Sequence, residues 1–127
     1  MALAITLVIS GCVNKDSGLP RPYRDLKVPK ATLASAEACA RGRKIFLQNC
    51  AICHGERADG HGVRSEGLDP KPADFTSPTW RATATPRHTF YMIQAGVPGT
   101  AMPSWNTFSD QETWELVSYV LSVAEPP

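Results

Sequence analysis

The sequence predicts an all-α domain, and three stretches predict it. Ser109-Asp110-Gln111-Glu112 is a capping box that opens an apolar-rich run to about Val123. Thr85-Pro86 starts a second helix, with Pro86 suited to the first helical position, and Gly96 ends it. An alanine-rich stretch follows Thr32 or Ser35, either of which can serve as N-cap, and runs to Gln48.

In the alanine-rich helix, Cys39, Gly42, Ile45 and Phe46 fall on one side at helical spacing. A glycine inside a helix costs up to about 1 kcal/mol relative to alanine, so Gly42 implies a close backbone approach. Cys39 reads as a small buried hydrophobe, with a disulfide to Cys12 as the alternative. In the second helix Phe90, Ile93 and Met92 supply the buried face, and His88, in the first turn, belongs in solvent. In the last helix Trp114, Val117 and Leu121 line one side, which Leu116, Tyr119, Val120 and Val123 widen. A face that broad must be buried against another helix.

The 127 residues suffice for one domain with a leader or tail. A net charge of +1 argues against nucleic-acid binding. The charge is unevenly spread. Residues 15–44 hold Lys15, Arg21, Arg24, Lys27, Lys30, Arg41, Arg43 and Lys44 against Asp16, Asp25 and Glu37, whereas no Lys or Arg follows Arg87. This is either a dipole that orients the protein on a charged partner or two ordinary solvated faces.

The apolar run Ala2–Ile9 is too short to span a bilayer, which takes about 20 residues, and has the length of a signal-peptide core. Ile9-Ser10-Gly11-Cys12 resembles the bacterial lipoprotein signal, in which the cysteine is lipidated and becomes the new N-terminus. The positive residues that normally precede such a run are absent. Residues 1–11 thus read as a lipoprotein-type signal, with an ordinary cleaved secretory signal as the alternative; both export the protein. Residues 12–31, with Gly18, Pro20, Pro22 and Pro29, read as a proline-rich tether that would reach on the order of 60 Å if extended. The competing reading lays Pro20–Leu26 in a groove of a larger complex, with Tyr23 and Leu26 as apolar anchors. The domain proper is expected over residues 32–127.

The chemistry centres on Cys50-Ala51-Ile52-Cys53-His54. C-x-x-C-H is the attachment signature of a c-type haem: the thiols form thioethers to the porphyrin vinyl groups, and the adjacent imidazole binds iron. A zinc site would need a second pair of soft ligands, and no second C-x-x-C or H-x-x-x-H exists. A redox dithiol would need a βαβ context, which the flanks lack. One haem is therefore implied. The Gly- and Pro-rich loop from Gly55 to Pro78 is expected to wrap the proximal face, with Leu68 and Phe75 as its apolar contacts. The His54 Nδ1–H needs an acceptor, for which the carbonyl of Pro70 or a neighbour is the candidate. His61 reads as exposed. Met102 lies between glycines and prolines in the non-helical stretch Gly96–Trp105, half a domain from His54, and can approach iron from the opposite face. Its thioether raises the reduction potential. Met92 competes for that role but falls inside a helix, where packing accounts for it.

Together these residues resemble the class I monohaem cytochrome c family over about residues 32–124. The family pattern appears as Gly42 and Phe46, then Cys50, Cys53 and His54, the run Gly67–Pro70, Met102-Pro103, and Trp114 and Tyr119. The resemblance implies a class I cytochrome c fold of three to five helices around one covalent haem, with Gly42 and Phe46 meeting the last helix near Tyr119. It implies one-electron transfer by haem c with His54 and Met102 as axial ligands, and no enzyme chemistry, since no coordination position stays open. Redox proteins would dock at an exposed rim of Ala51, Ile52, Val97, Pro98, Ala101 and Pro103. Cys12 and the arm add a membrane-attached variant, lipid-anchored on the periplasmic or extracytoplasmic side of a bacterial cell membrane. That variant is either a tethered shuttle or a subunit of a respiratory or photosynthetic complex. The alternative is a haem enzyme or ligand sensor whose distal site is open or displaceable.

Overall fold

A computed structural model describes residues 14–123; the expected leader, its Cys12 and residues 124–127 lie outside the described residues. Six α-helices are formed: α1 (Lys30–Leu33), α2 (Ala36–Asn49), α3 (Ala51–His54), α4 (Pro78–Thr83), α5 (Pro86–Ala95) and α6 (Asp110–Ser122). A 3-10 turn at Tyr23–Asp25 precedes them, and no strand occurs among the described residues.

The helix starts follow the expected cap chemistry. The Ser35 hydroxyl accepts from the Ala38 amide at 3.2 Å, so α2 begins there, and α1 forms a separate turn before it. Thr85 caps α5 by accepting from the His88 amide at 3.1 Å. Ser109 and Glu112 close both bonds of the capping box on α6, at 3.2 and 2.8 Å. The short α4 adds to the expected helices. Its start, Ser77 as N-cap with Pro78 at the first position, is the same signal that marks α5.

The frame is the crossing of α2 on α6. A Cβ on Gly42 would sit 1.9 Å from the Glu115 carbonyl oxygen, so the helices touch backbone to backbone. Phe46, one turn on, is fully buried with its ring 5.1 Å from that of Tyr119. Residues Thr113–Leu121 of α6 are all buried. α5 packs on the same helix, with the Phe90 ring 4.5 Å from that of Trp114. As expected, Ile93 is buried and His88 and His61 are exposed; Met92 is half-buried. Cys39 is a half-buried free thiol, its sulfur 3.4 Å from the Ser122 hydroxyl.

One expectation is corrected. The arm is not a free tether over its described length. Asp16 is buried, accepts from the Thr85 hydroxyl and pairs with Arg87 Nη1 at 3.2 Å, while Arg87 Nε donates to the Leu26 carbonyl at 2.8 Å. Leu19 is buried, and the Tyr23 ring lies 4.7 Å from that of Tyr91. Tyr23 and Leu26 are apolar anchors, but the surface they hold is this domain's own core. Across the uneven charge, Arg41 of the basic segment pairs at 2.8 Å with Glu115 of the acidic one, whose side chain is only 5% exposed and also accepts from Gln111.

Gly42→Ala is expected to destabilise the protein by at least about 2 kcal/mol, because the obstruction is backbone and no rotamer relieves it. Thermal unfolding of the holoprotein should show a midpoint lower by roughly 10 °C, and an unchanged midpoint would contradict the backbone contact.

Candidate haem site

The cysteine turn hangs on the end of α2. Cys50 is both the last cap of α2 and the start of α3; its amide donates to the Phe46 carbonyl at 2.8 Å. The His54 amide then donates to the Cys50 carbonyl at 2.9 Å, which folds Cys50, Cys53 and His54 onto one helical turn. Gly55 ends the turn at φ +85°.

A turn this short leaves its carbonyls unpartnered, and the following loop supplies the donors. The amides of Gly60, Gly62 and Arg64 donate to the carbonyls of His54, Cys53 and Ile52 at 2.7, 3.0 and 2.8 Å. The chain thus runs back along the turn at contact distance. A Cβ on Gly62 would lie 2.4 Å from the Ile52 oxygen and 2.6 Å from the Ala51 oxygen. The sequence showed a glycine-rich loop but not which glycine meets the cysteine turn.

His54 is oriented from behind. Its Nδ1 lies 3.1 Å from the Ala73 carbonyl, so that oxygen, three residues beyond the expected Pro70, takes the ring proton. The Phe75 ring stacks on the imidazole at 4.7 Å and 21°, Trp80 closes edge-on over Phe75 at 4.8 Å, and Phe46 lies 6.3 Å from His54. Burial lowers the His54 pKa, partly offset by the Ala73 bond, which favours the neutral ring that a metal needs. Burial, with the neighbouring Cys53, pushes the Cys50 thiol up to about 11. These residues fit a covalent haem. Two free thiols and a neutral imidazole share one turn, and with Nδ1 spoken for, Nε2 remains to bind iron.

The other expected residues fall as follows. Phe75 backs His54, Leu68 is half-buried, and Pro70 is exposed. Met102 is half-buried in the loop between α5 and α6, whose ends are fastened to each other. The Trp105 amide donates to the Ile93 carbonyl at 2.9 Å, the Ser104 hydroxyl donates to the Gln94 carbonyl, and a Cβ on Gly96 would lie 2.7 Å from the Ser104 nitrogen. Of the expected docking rim, Ile52, Pro98, Ala101 and Pro103 are exposed and Val97 is half-buried, but Ala51 is buried under the returning loop and drops out.

The family model described as cytochrome C oxidase, cbb3-type, subunit III matches residues 37–120, a span that opens in α2, includes the cysteine turn and Met102, and ends in α6. Cytochrome c55X of Stutzerimonas stutzeri is 35% identical over 85 residues, which are 65% of this chain and 64% of that protein. A chain of the Kuenenia stuttgartiensis reducing HAO-like protein complex Kustc0457/Kustc0458 aligns with a TM-score of 0.64 at 30% identity, covering 72% of this chain and 46% of its own length. The chain therefore spans less than two thirds of either relative, and the arm before α2 lies outside the family match.

Gly62→Ala is expected to displace the cysteine turn and cut covalent haem incorporation several-fold, as an overpacked backbone contact costing about 1–3 kcal/mol would. The measurement is bound haem per polypeptide after denaturation, which leaves thioethers intact; full incorporation would show that the turn does not depend on this approach.

Proposed function

Since the chain belongs to the cytochrome C oxidase, cbb3-type, subunit III family, we propose that it works as a His54/Met102-ligated electron carrier held at a membrane surface. Electron transfer through one covalently attached haem c is the function and cofactor of the family match. When bound, the haem supplies a reversible one-electron change at iron.

The observation that carries the reading is the tie from His54 Nδ1 to Ala73, which leaves Nε2 for iron on the same turn as both cysteines. The chain's own residues do the rest. Cys50 and Cys53 would fix the macrocycle to α3. Phe75, Trp80 and Phe46 hold the imidazole in one orientation and keep water from its rear. Met102, carried on a loop with both ends fastened, would fill the far side and raise the potential. With His54 and Met102 both on iron, oxygen and peroxide would have nowhere to bind, so the reading is a carrier rather than an enzyme.

Redox proteins are the partners that suit this chemistry, and the Kuenenia stuttgartiensis relative is itself part of a protein complex. The membrane reading rests on the lipoprotein-like Ile9–Cys12. No described helix is long and apolar enough to cross a bilayer, so attachment would come from a lipid on Cys12.

Met102→Ala should abolish the weak red-end absorption band of the ferric protein and lower its midpoint potential. Retention of the band would remove Met102 from iron, and rapid carbon monoxide binding by the reduced wild type would favour an open distal site. Cys12→Ser should move the protein from the membrane fraction to the supernatant. Continued membrane association without detergent would show that protein contacts hold it.

A further inference from the structure

We infer that Thr100 is the positioning residue that presents Met102 to iron, an inference that rests on the reading of Met102 as the distal ligand. The loop from Gly96 to Trp105 is closed at its base by the Ser104 and Trp105 bonds to the last turn of α5. That base cannot by itself set Met102, since the apex contains Gly99 at φ +76° and exposed Pro98, Ala101 and Pro103. The apex is ordered from within by a backbone turn, in which the Thr100 amide donates to the Val97 carbonyl at 3.2 Å, and by the Thr100 hydroxyl. Thr100 Oγ1 donates to the Val97 carbonyl at 2.7 Å and accepts the Met102 amide proton at 3.2 Å. The Met102 carbonyl in turn accepts from the Val97 amide at 3.2 Å. Both peptide groups flanking the Met102 Cα are thereby fixed, one through Thr100 and one through Val97.

The chemistry asks for this. A methionine thioether is a weak ligand that holds iron only if the chain delivers it; a loop free to swing would surrender the position to any stronger base. Thr100 stabilises the delivered geometry without touching the metal. Valine keeps the shape and removes the hydroxyl, whereas serine keeps the hydroxyl.

The test uses the full-length ferric holoprotein titrated with imidazole, which competes with Met102 for iron. Two hydrogen bonds are lost in Thr100→Val, so imidazole should bind about tenfold more tightly than to wild type, with the red-end band weakened and haem content and helical circular dichroism unchanged. Thr100→Ser should behave as wild type. Imidazole affinity of Thr100→Val within about twofold of wild type, less than one net hydrogen bond is worth, together with an unaltered band, would overturn the inference while leaving the ligand reading intact. Met102→Ala is the parallel control: if it keeps the band, or binds imidazole no more tightly than wild type, the ligand reading fails and this inference fails with it. Should Thr100→Val yield no holoprotein, Thr100→Ala takes its place with the same expectations; failure of both would assign Thr100 to folding and overturn the inference.

Discussion

The bare backbone of Gly42 against the Glu115 carbonyl is the contact on which the rest depends. Helices normally pack 8–10 Å apart, at a distance set by the side chains between them. At this crossing there is no side chain on α2, so the axes close in. Phe46, one turn further on, is then pressed into the core beside Tyr119 and fully buried, worth about 1.5–3 kcal/mol of transfer free energy. Cys50 follows one turn after Phe46 and is hydrogen-bonded to its carbonyl. The position of the cysteine turn is therefore inherited from the α2–α6 crossing.

Charge is used in the same economical way. Glu115, next to that crossing, is almost fully withdrawn from water and would be costly unpaired. Arg41 and Gln111 both reach its Oε1, at 2.8 and 3.1 Å, one from each helix. Arg41 keeps much of its length in solvent, so only one partner bears a large desolvation penalty. Asp16 is likewise withdrawn from water and paired, with Arg87, and there the acid also accepts from Thr85, the residue that caps α5.

How much was legible in the sequence follows from the range of each interaction. Caps act within four residues, so Thr85 and Ser109 could be read directly and Ser35 as one of two candidates with Thr32, and C-x-x-C-H carries its chemistry in five. Gly42 was legible because a glycine in a good helical run needs a reason. Contacts between distant residues were not: Asp16 with Arg87 spans 71 positions and Arg41 with Glu115 spans 74, and their charges look free until the fold pairs them. The arm misled for a different reason. Prolines report where the backbone lacks donors, not whether the residues between them find a surface, and Leu19, Tyr23 and Leu26 do. Gly62 and Thr100 lay hidden because their partners are backbone groups, which leave no mark in the pattern of side chains.

The cysteine turn and the loop proposed to face it are carried by two helices that α6 holds together. The cysteine turn hangs on α2 and the Met102 loop on α5, and α6 packs on both helices. Gln94, in the last turn of α5, donates to the fully buried Thr113 hydroxyl at 2.6 Å, tying the base of the loop to the first turn of α6. The N-terminal arm grips the opposite end of α5 through Asp16 and Arg87. The ten-residue helix is thus held at both ends, which fixes where the base of its loop sits. The arm lies outside the segment shared with the family, yet it braces the one helix whose far end carries Met102. Residues that precede the family match thus contribute contacts to a helix inside it.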